Sequence, residues 1–351
     1  VSQNQRISFL PIWGKQNETI PIQQMRALQD LGVEARYGKP GAIFPLTKTA
    51  LSQKSELISL DWIHQYCLAP GLSASLIKSF LFALDVFFVE KILRVKLVWT
   101  LHNLRHHDPR PRKLERWISR YFASHCQKIR LLGRGMEDEI SRYLSVPLSK
   151  LEIIPEGPYI GWYPEGIGQE EARQKLNLPS KSIVWLYLGN LRPYKGVEDL
   201  ISGFQKLDLP QVELLIAGNP WNKNYAQSLT ELAKNNPKIH LHFHTIPDDT
   251  LQVFFAAADL VVLPFKNVLN SGSALLAMGF SKAVVAPAMG LLPFRLASQV
   301  HLLYPPGEGL EAGLKTASQL SQSQLKAIGA QNRVDALKYK WSDFAQFLIY
   351  V

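Results

Sequence analysis

Apolar positions along the chain fall into two repeating patterns. Short unbroken runs, at residues 183–188, 212–217, 260–263 and 283–287, read as strands buried on both faces, the mark of a parallel sheet. Between them the apolar residues stand three and four apart, as in Val197, Leu200, Ile201 and Phe204, which is one face of a helix. Residues 225–235 and 274–280 read as further helices. The chain opens in the same way. Residues 7–12 predict a strand cut by Pro11, residues 20–31 a helix with Ile22, Met25, Leu28 and Leu31 on one face, and residues 33–37 a second strand. More strands are expected at 56–62, 95–101, 128–132, 151–155 and 239–243, and a last helix at 341–348. Strand and helix in alternation predict an α/β fold with doubly wound parallel sheets.

One stretch is apolar beyond the rest. Residues 72–95 place Leu76, Phe80, Leu84, Phe87, Phe88 and Ile92 at helical spacing, flanked by Lys78, Lys91, Arg94 and Lys96. The favoured reading is a core helix with that face on the sheet. The alternative is a basic amphipathic surface resting on the inner leaflet of a membrane.

The turns carry the chemistry. Residues 183–188 run into Gly189-Asn-Leu-Arg192-Pro-Tyr-Lys195-Gly196 and then a helix. A strand, a glycine turn and a helix N-terminus offer bare N–H groups and the positive end of a helix dipole to an anion. Arg192 and Lys195 add two cations, so the turn reads as a diphosphate seat. Asn270-Ser271-Gly272-Ser273 stands before the apolar helix at 274–280 and is a second phosphate-binding device. Either turn alone reads first as an ordinary strand-to-helix connection with a capped helix. Together, one dibasic and one serine-rich, they favour the diphosphate.

These motifs, with Ala217-Gly218 and Ala257-Ala-Asp259-Leu-Val-Val-Leu-Pro264, resemble the donor half of the GT-B glycosyltransferases, most closely the large GT4-like group. The resemblance implies two Rossmann-like domains facing a central cleft, residues 1–158 for the acceptor and 159–335 for a nucleotide-sugar donor. A terminal helix, 336–351, would cross back to the first domain. It gives the donor diphosphate to Arg192 and Lys195, supported by Gly189, Asn190, Ser271, Gly272 and Ser273. Gly218, Asn219, Thr245 and Ile246 would approach the nucleotide, and Glu156, where relatives often have histidine, would approach the sugar. It also implies transfer of a sugar from a UDP- or GDP-sugar to a hydroxyl of a glycan or lipid-linked acceptor, in exopolysaccharide or glycolipid synthesis. No metal or other cofactor is expected. One departure stands out. Many retaining members carry Glu-x7-Glu where this chain has Val268 and Leu276, so Asn270 with Ser271 and Ser273 is left to hold those donor groups. The missing pair leaves retaining and inverting chemistry open. It also keeps two other readings alive, a sugar-nucleotide epimerase or hydrolase and an inactive nucleotide-sugar-binding subunit.

Composition agrees with an enzyme of this kind. A chain of 351 residues is comfortable for two domains, and 46% hydrophobic with 19% charged residues is globular. Cys67 and Cys126 lie far apart and outside any metal spacing, the start is polar, and a cytoplasmic protein is expected. No charge-free apolar run reaches about 18 residues, so no membrane span is expected. The net charge of +10 is uneven: residues 1–158 hold 22 Lys and Arg against 14 Asp and Glu. That bias points to an anionic partner of the first domain, a phosphorylated substrate or an anionic membrane surface. No nucleic-acid-binding motif accompanies it.

The first domain has its own polar cluster. The strand at 95–101 delivers Thr100-Leu-His102-Asn103-Leu-Arg-His106-His107-Asp108. Similar glycosyltransferases carry an HN-x3-H pattern here, present as His102-Asn103 and His107. An acceptor hydroxyl needs a base near working pH, which histidine supplies unperturbed. His107, His102 and Asp108 are therefore the catalytic candidates, with Asp108 either a base or an orienting group. Asn103, Arg110 and Arg112 are the acceptor candidates, the two arginines for a lipid-linked phosphate. The alternatives are a structural loop and a solvated charged face. His64, expected at the end of another strand, reads equally as a cleft residue and as a surface histidine.

Overall fold

The structure, a computed structural model, describes residues 5–10, 19–38, 41, 43–105, 110–307 and 309–351. The chain divides into two compact units, Val1–Glu156 with Lys340–Val351, and Gly157–Tyr339. The boundary expected after residue 158 falls after Glu156, and the return expected at residue 336 begins at Lys340.

The first unit is built on a six-stranded sheet. Its strands are β1 (Arg6–Leu10), β2 (Glu34–Tyr37), β3 (Leu57–Leu60), β4 (Lys96–Leu101), β5 (Lys128–Leu131) and β6 (Leu151–Ile153). They run parallel in the order β2-β1-β3-β4-β5-β6. The strands read as continuous apolar runs because both faces are covered; all four residues of β3 are buried. The C-terminal helix Trp341–Tyr350 belongs to this unit. Its Phe344 lies 6.1 Å from the Phe9 ring, and the buried Arg130 guanidinium sits 4.3 Å over it. Arg130 also donates to the carbonyls of Ile154 and Pro155, so the end of β6 and the terminal helix share one buried cation.

The second unit repeats the architecture. β7 (Ile183–Leu188), β8 (Val212–Ala217), β9 (Ile239–His242), β10 (Leu260–Val262), β11 (Ala283–Pro287) and β12 (Leu303–Tyr304) lie parallel in the order β12-β11-β10-β7-β8-β9. From β7 the chain first builds outward through β8 and β9, then returns to lay β10 on the other side of β7. This reversal opens a crevice beyond the carboxyl ends of β7 and β10, where ligands of such sheets bind. In the first unit the corresponding reversal lies between β1 and β3.

Several expectations need correction. The helix predicted at 72–95 is the α-helix Leu72–Phe87 continued by a π turn, Phe88–Ile92, and its burial is inverted. Leu76, Phe80, Leu84, Phe87, Phe88 and Ile92, assigned to the core, are exposed; Ser75, Ser79, Phe82, Asp85 and Val86 are buried instead. The polar side chains decide this. Asp85 accepts from the backbone N–H of Leu46 and Thr47 at 2.8 and 2.9 Å and so caps the helix Pro45–Gln53, whose own N-cap, Phe44, supplies no side-chain cap. Ser79 donates to the Cys67 carbonyl and Ser75 to that of Ala69, each at 2.7 Å. Residues 245–249 do not cap the helix that follows them: its N-cap is Thr250, without a side-chain bond. The helix Gln169–Lys175 already belongs to the second unit, and its Arg173 is buried against Asp259 at 2.7 Å. The helices Leu310–Ser318 and Gln322–Ala336 are not among the expected elements; the second has little apolar periodicity, although Ser321 and Gln324 form a capping box that marks its start.

Candidate functional site

The two turns of the second unit that the sequence marks as phosphate-binding candidates are one place. The segment after β7 and the segment after β10 meet through their backbones. Gly196 has φ +72°, and a Cβ there would stand 1.9 Å from the Pro264 carbonyl oxygen. The Lys266 N–H donates to the Tyr194 carbonyl at 3.0 Å, and Lys195 Nζ lies 4.3 Å over the Phe265 ring. A Cβ on Gly189 would stand 3.7 Å from Ser273 Oγ. The end of β8 joins the same corner. Gly218, at φ +145°, packs so closely that a Cβ would meet the Gly189 oxygen at 1.9 Å, and the Leu191 N–H donates to the Asn219 carbonyl at 3.0 Å. Only glycine fits such approaches. Asn190 is exposed, its carbonyl held by Tyr187 Oη at 3.0 Å.

The turns divide the work differently from the sequence reading. The helix after the first turn, Val197–Leu207, begins with Glu198 and Asp199, and the Pro264 carbonyl abuts Gly196 at its start. That helix N-terminus is therefore a poor anion site, and the first turn contributes its side chains. Arg192 Nη1 is buried with no hydrogen-bond partner among the described residues. Burial lowers the Lys195 pKa from 10.5 to about 8. An uncompensated buried donor and a destabilised ammonium are both relieved by an anion. The open helix N-terminus is the second one. Ser271 caps the helix Gly272–Gly279 by accepting from Ala274 N at 3.1 Å, and no carboxylate stands in its first turn. The amides of Gly272 and Ser273 lie in that first turn, where backbone donors have no partner within the helix.

Around this corner, Asn270 immediately precedes the Ser271 cap. Val268 and Leu269 are buried, and a Cβ on Gly290 would stand 2.5 Å from the carbonyl oxygen of each. The place of the absent first glutamate is thus an apolar, tightly held turn. Thr245 is exposed and Ile246 half-buried in the loop after β9, which is tied to the corner by the Gly218 N–H donating to the His242 carbonyl at 3.0 Å.

In the first unit, the ends of β3 and β4 bring together residues that sequence spacing does not connect. His102 is buried with its ring stacked on Trp62 at 4.0 Å, and its Nε2 lies 3.3 Å from Asp61 Oδ1. The Asp61 carbonyl accepts from Trp99 Nε1 at 3.2 Å, which fixes the turn that carries it. His64, rather than lining a surface loop, is buried 3.4 Å from Glu115 Oε1. Asp61 and Glu115 are missed by the sequence reading; the only signal for Asp61 is its place just after an apolar strand. Asn103 is half-buried, Arg110 half-buried and Arg112 exposed at the start of the helix Arg112–His125. His107 and Asp108 lie outside the described residues. Glu156 is buried as the last residue of the first unit.

Residues 168–333 match the family model described as glycosyl transferases group 1. Over 243 residues the chain is 27% identical to the GDP-mannose:glycolipid 4-beta-D-mannosyltransferase of Xanthomonas campestris pv. campestris; the match takes in 68% of this chain and 63% of that protein's length. Among solved structures, sucrose-phosphate synthase from Thermosynechococcus elongatus superposes with a TM-score of 0.76 at 16% identity, covering 99% of this chain and 98% of the other. Anabaena HepE in complex with UDP and glucose gives a TM-score of 0.69 at 17% identity, covering 99% and 98%. The fold is GT-B, and the second unit carries a group 1 glycosyl transferase domain.

Proposed function

We propose that this chain, whose second unit carries a group 1 glycosyl transferase domain, moves a sugar from a nucleoside diphosphate sugar to a hydroxyl of a glycan or lipid-linked acceptor. The observation that carries the reading is the corner at β7 and β10. Glycines there bring backbone into close approach, the Arg192 guanidinium has a buried nitrogen without a partner among the described residues, and a serine-capped helix N-terminus faces the same place. Arg192 and Lys195 take the diphosphate, with the Gly272 and Ser273 amides and the Ser271 and Ser273 hydroxyls on its other oxygens. Their charge stabilises the leaving diphosphate as the bond from the sugar's anomeric carbon to the phosphate oxygen breaks, so the reading invokes no metal. Gly218 and Asn219 lie toward the nucleoside, and Asn270 replaces the missing carboxylates toward ribose or sugar.

The first unit takes the acceptor. As the acceptor oxygen bonds to the anomeric carbon, its proton passes to an imidazole, and His102 is the described candidate. Asp61 lies beside it, with Oδ1 3.3 Å from Nε2, and puts a carboxylate next to the ring that takes the proton. Arg110 and Arg112 suit the phosphate of a lipid-linked acceptor. The name of the Xanthomonas campestris relative makes GDP-mannose the first donor to test, and the HepE complex makes UDP-glucose the second.

The test is release of nucleoside diphosphate from GDP-mannose and UDP-glucose, with and without a lipid-diphosphate-linked glycan. Transfer predicts release that depends on the acceptor. Equal release into water would make the chain a hydrolase, and conversion of the donor sugar without release an epimerase. Bound but intact donor under all conditions would leave a binding subunit.

A further inference from the structure

The helix Leu72–Phe87 and its π turn Phe88–Ile92 bury Phe82, Val86 and Val89 on one side and leave a second apolar side in water. The side turned into the unit holds Ser75, Ser79 and Asp85, each bonded to another segment. The side turned to water holds Leu76, Ile77, Phe80 and Phe87 at 50%, 61%, 61% and 48% exposure, with Leu84 and Phe88 beside them. Positions 72, 76, 80, 84 and 87 follow one another at helical spacing, so this is a continuous stripe about four turns long. A contiguous apolar stripe facing solvent marks an interaction surface, whereas single exposed apolar residues do not.

The charges around the stripe say what covers it. The helix Arg112–His125 packs beside it, with Tyr121 Oη donating to the Ala83 carbonyl at 3.1 Å. Trp117 of this neighbouring helix is exposed and stacks on Tyr121 at 5.9 Å, an amphipathic aromatic ring on the helix beside the stripe. On these two helices the carboxylates are Asp85, Glu90 and Glu115, and all are turned inward: Asp85 and Glu115 are buried and the Glu90 side chain is 16% exposed. Lys91 is exposed but paired with Glu90 Oε1 at 3.0 Å; Arg112, Lys113 and Arg116 are exposed, with the Arg116 guanidinium 5.3 Å over the Tyr143 ring. Arg112 and Lys113 stand in the first turn of their helix, beside the positive end of its dipole, where cations are unfavourable. An anionic surface would relieve that repulsion. Apolar residues, an interfacial tryptophan and outward cations without outward carboxylates together fit the headgroup boundary of an anionic bilayer.

We propose that this face docks the first unit on an anionic lipid bilayer, lying in the interface with Leu76, Phe80 and Phe87 in the acyl boundary and Lys113 and Arg116 on lipid phosphates. The segment Leu72–Ile92 is long and apolar enough to cross a membrane by length and composition. It does not span, because its Ser75, Ser79 and Asp85 side is bonded into the unit and only the other side is available. The docking stands independently of the sugar-transfer reading, since no residue of the donor corner takes part.

Flotation of the 351-residue chain with vesicles of phosphatidylcholine, with and without phosphatidylglycerol, tests it. Binding should be strong only with the anionic lipid. Lys113→Gln with Arg116→Gln should weaken it about 25-fold, roughly fivefold for each basic side chain lost near the surface. Phe80→Ser with Phe87→Ser should weaken it about tenfold or more even at low salt. Both pairs are exposed, so an unchanged unfolding midpoint checks that the fold is intact. Equal binding to neutral and anionic vesicles, or binding untouched by the phenylalanine replacements, would overturn the proposal. So would absence of binding, including the case where the chain self-associates through this stripe and the phenylalanine variant is monomeric.

Discussion

The strand ends of the two units are chemically opposite. At β7 and β10, the corner is made of backbone: glycines at 189, 196 and 218 let segments touch, and Arg192, Lys195 and a capped helix start line the place where they touch. At β3 and β4, the corner is made of buried side chains, the pairs His102–Asp61 and His64–Glu115. A diphosphate is large, doubly charged and the same in every donor, so fixed amides and cations suit it. An acceptor proton is small and must change owner, so a titratable ring beside a carboxylate suits it.

That difference can be broken from either side. The largest effect belongs to the proton. His102→Ala should lower turnover about 10²- to 10⁴-fold while nucleotide affinity stays unchanged, because the nucleotide is assigned to the other unit. His107→Ala, run beside it, separates the two imidazoles. If both variants keep turnover within a few-fold, the proton leaves by another route, such as direct transfer to the departing phosphate.

Next come the cations. Arg192→Ala and Lys195→Ala each remove a charge-assisted contact of about 1.5–3 kcal/mol, and each should weaken nucleoside diphosphate binding about ten- to a hundredfold with the fold intact. The backbone can be tested by filling it. Gly196→Ala would put a methyl into the Pro264 carbonyl at a left-handed φ. It should cost the second unit about 2 kcal/mol or more, read as a lower urea midpoint.

The smallest effect is a slope with pH. Burial disfavours the Lys195 ammonium and lowers its pKa from 10.5 to about 8. A diphosphate favours the charged form. Nucleotide affinity should therefore be full below about pH 8 and fall as pH rises through it, by up to about tenfold per unit. Titrations between about pH 7.5 and 9.5 check this, and Lys195→Ala should flatten the slope. A wild-type profile as flat as the variant's would show that Lys195 does not face the anion.

The same contrast explains what the sequence could tell. The β7–β10 corner, proposed for the donor, is legible as a turn because its signals are local: an apolar strand, then glycine and cations in the turn that follows it. Even there, Glu198 and Asp199 stand in plain sequence at the start of the first helix and count against its N-terminus, whereas only the fold shows the Pro264 carbonyl against Gly196 and leaves the Ser271 cap as the open one. The acceptor corner was half legible. His102 announced itself in its polar run, but Asp61 lies on another strand, and only the pairing of β3 with β4 brings them together. Helix 72–92 misled for a related reason. Its spacing marks a face without saying which way it turns, and the turn was set by Leu46, Thr47 and Cys67, partners distant in the chain.

The central claim is that a nucleoside diphosphate sits at the β7–β10 corner on Arg192 and Lys195. Calorimetric titration of GDP and UDP into the 351-residue chain and into the Arg192→Ala, Lys195→Ala double variant tests it most directly. The account predicts saturable binding of at least one nucleotide to the first protein and a loss of about a hundredfold or more in the second, at an unchanged unfolding midpoint. Failure of both nucleotides to bind, or equal affinity in the two proteins, would contradict it.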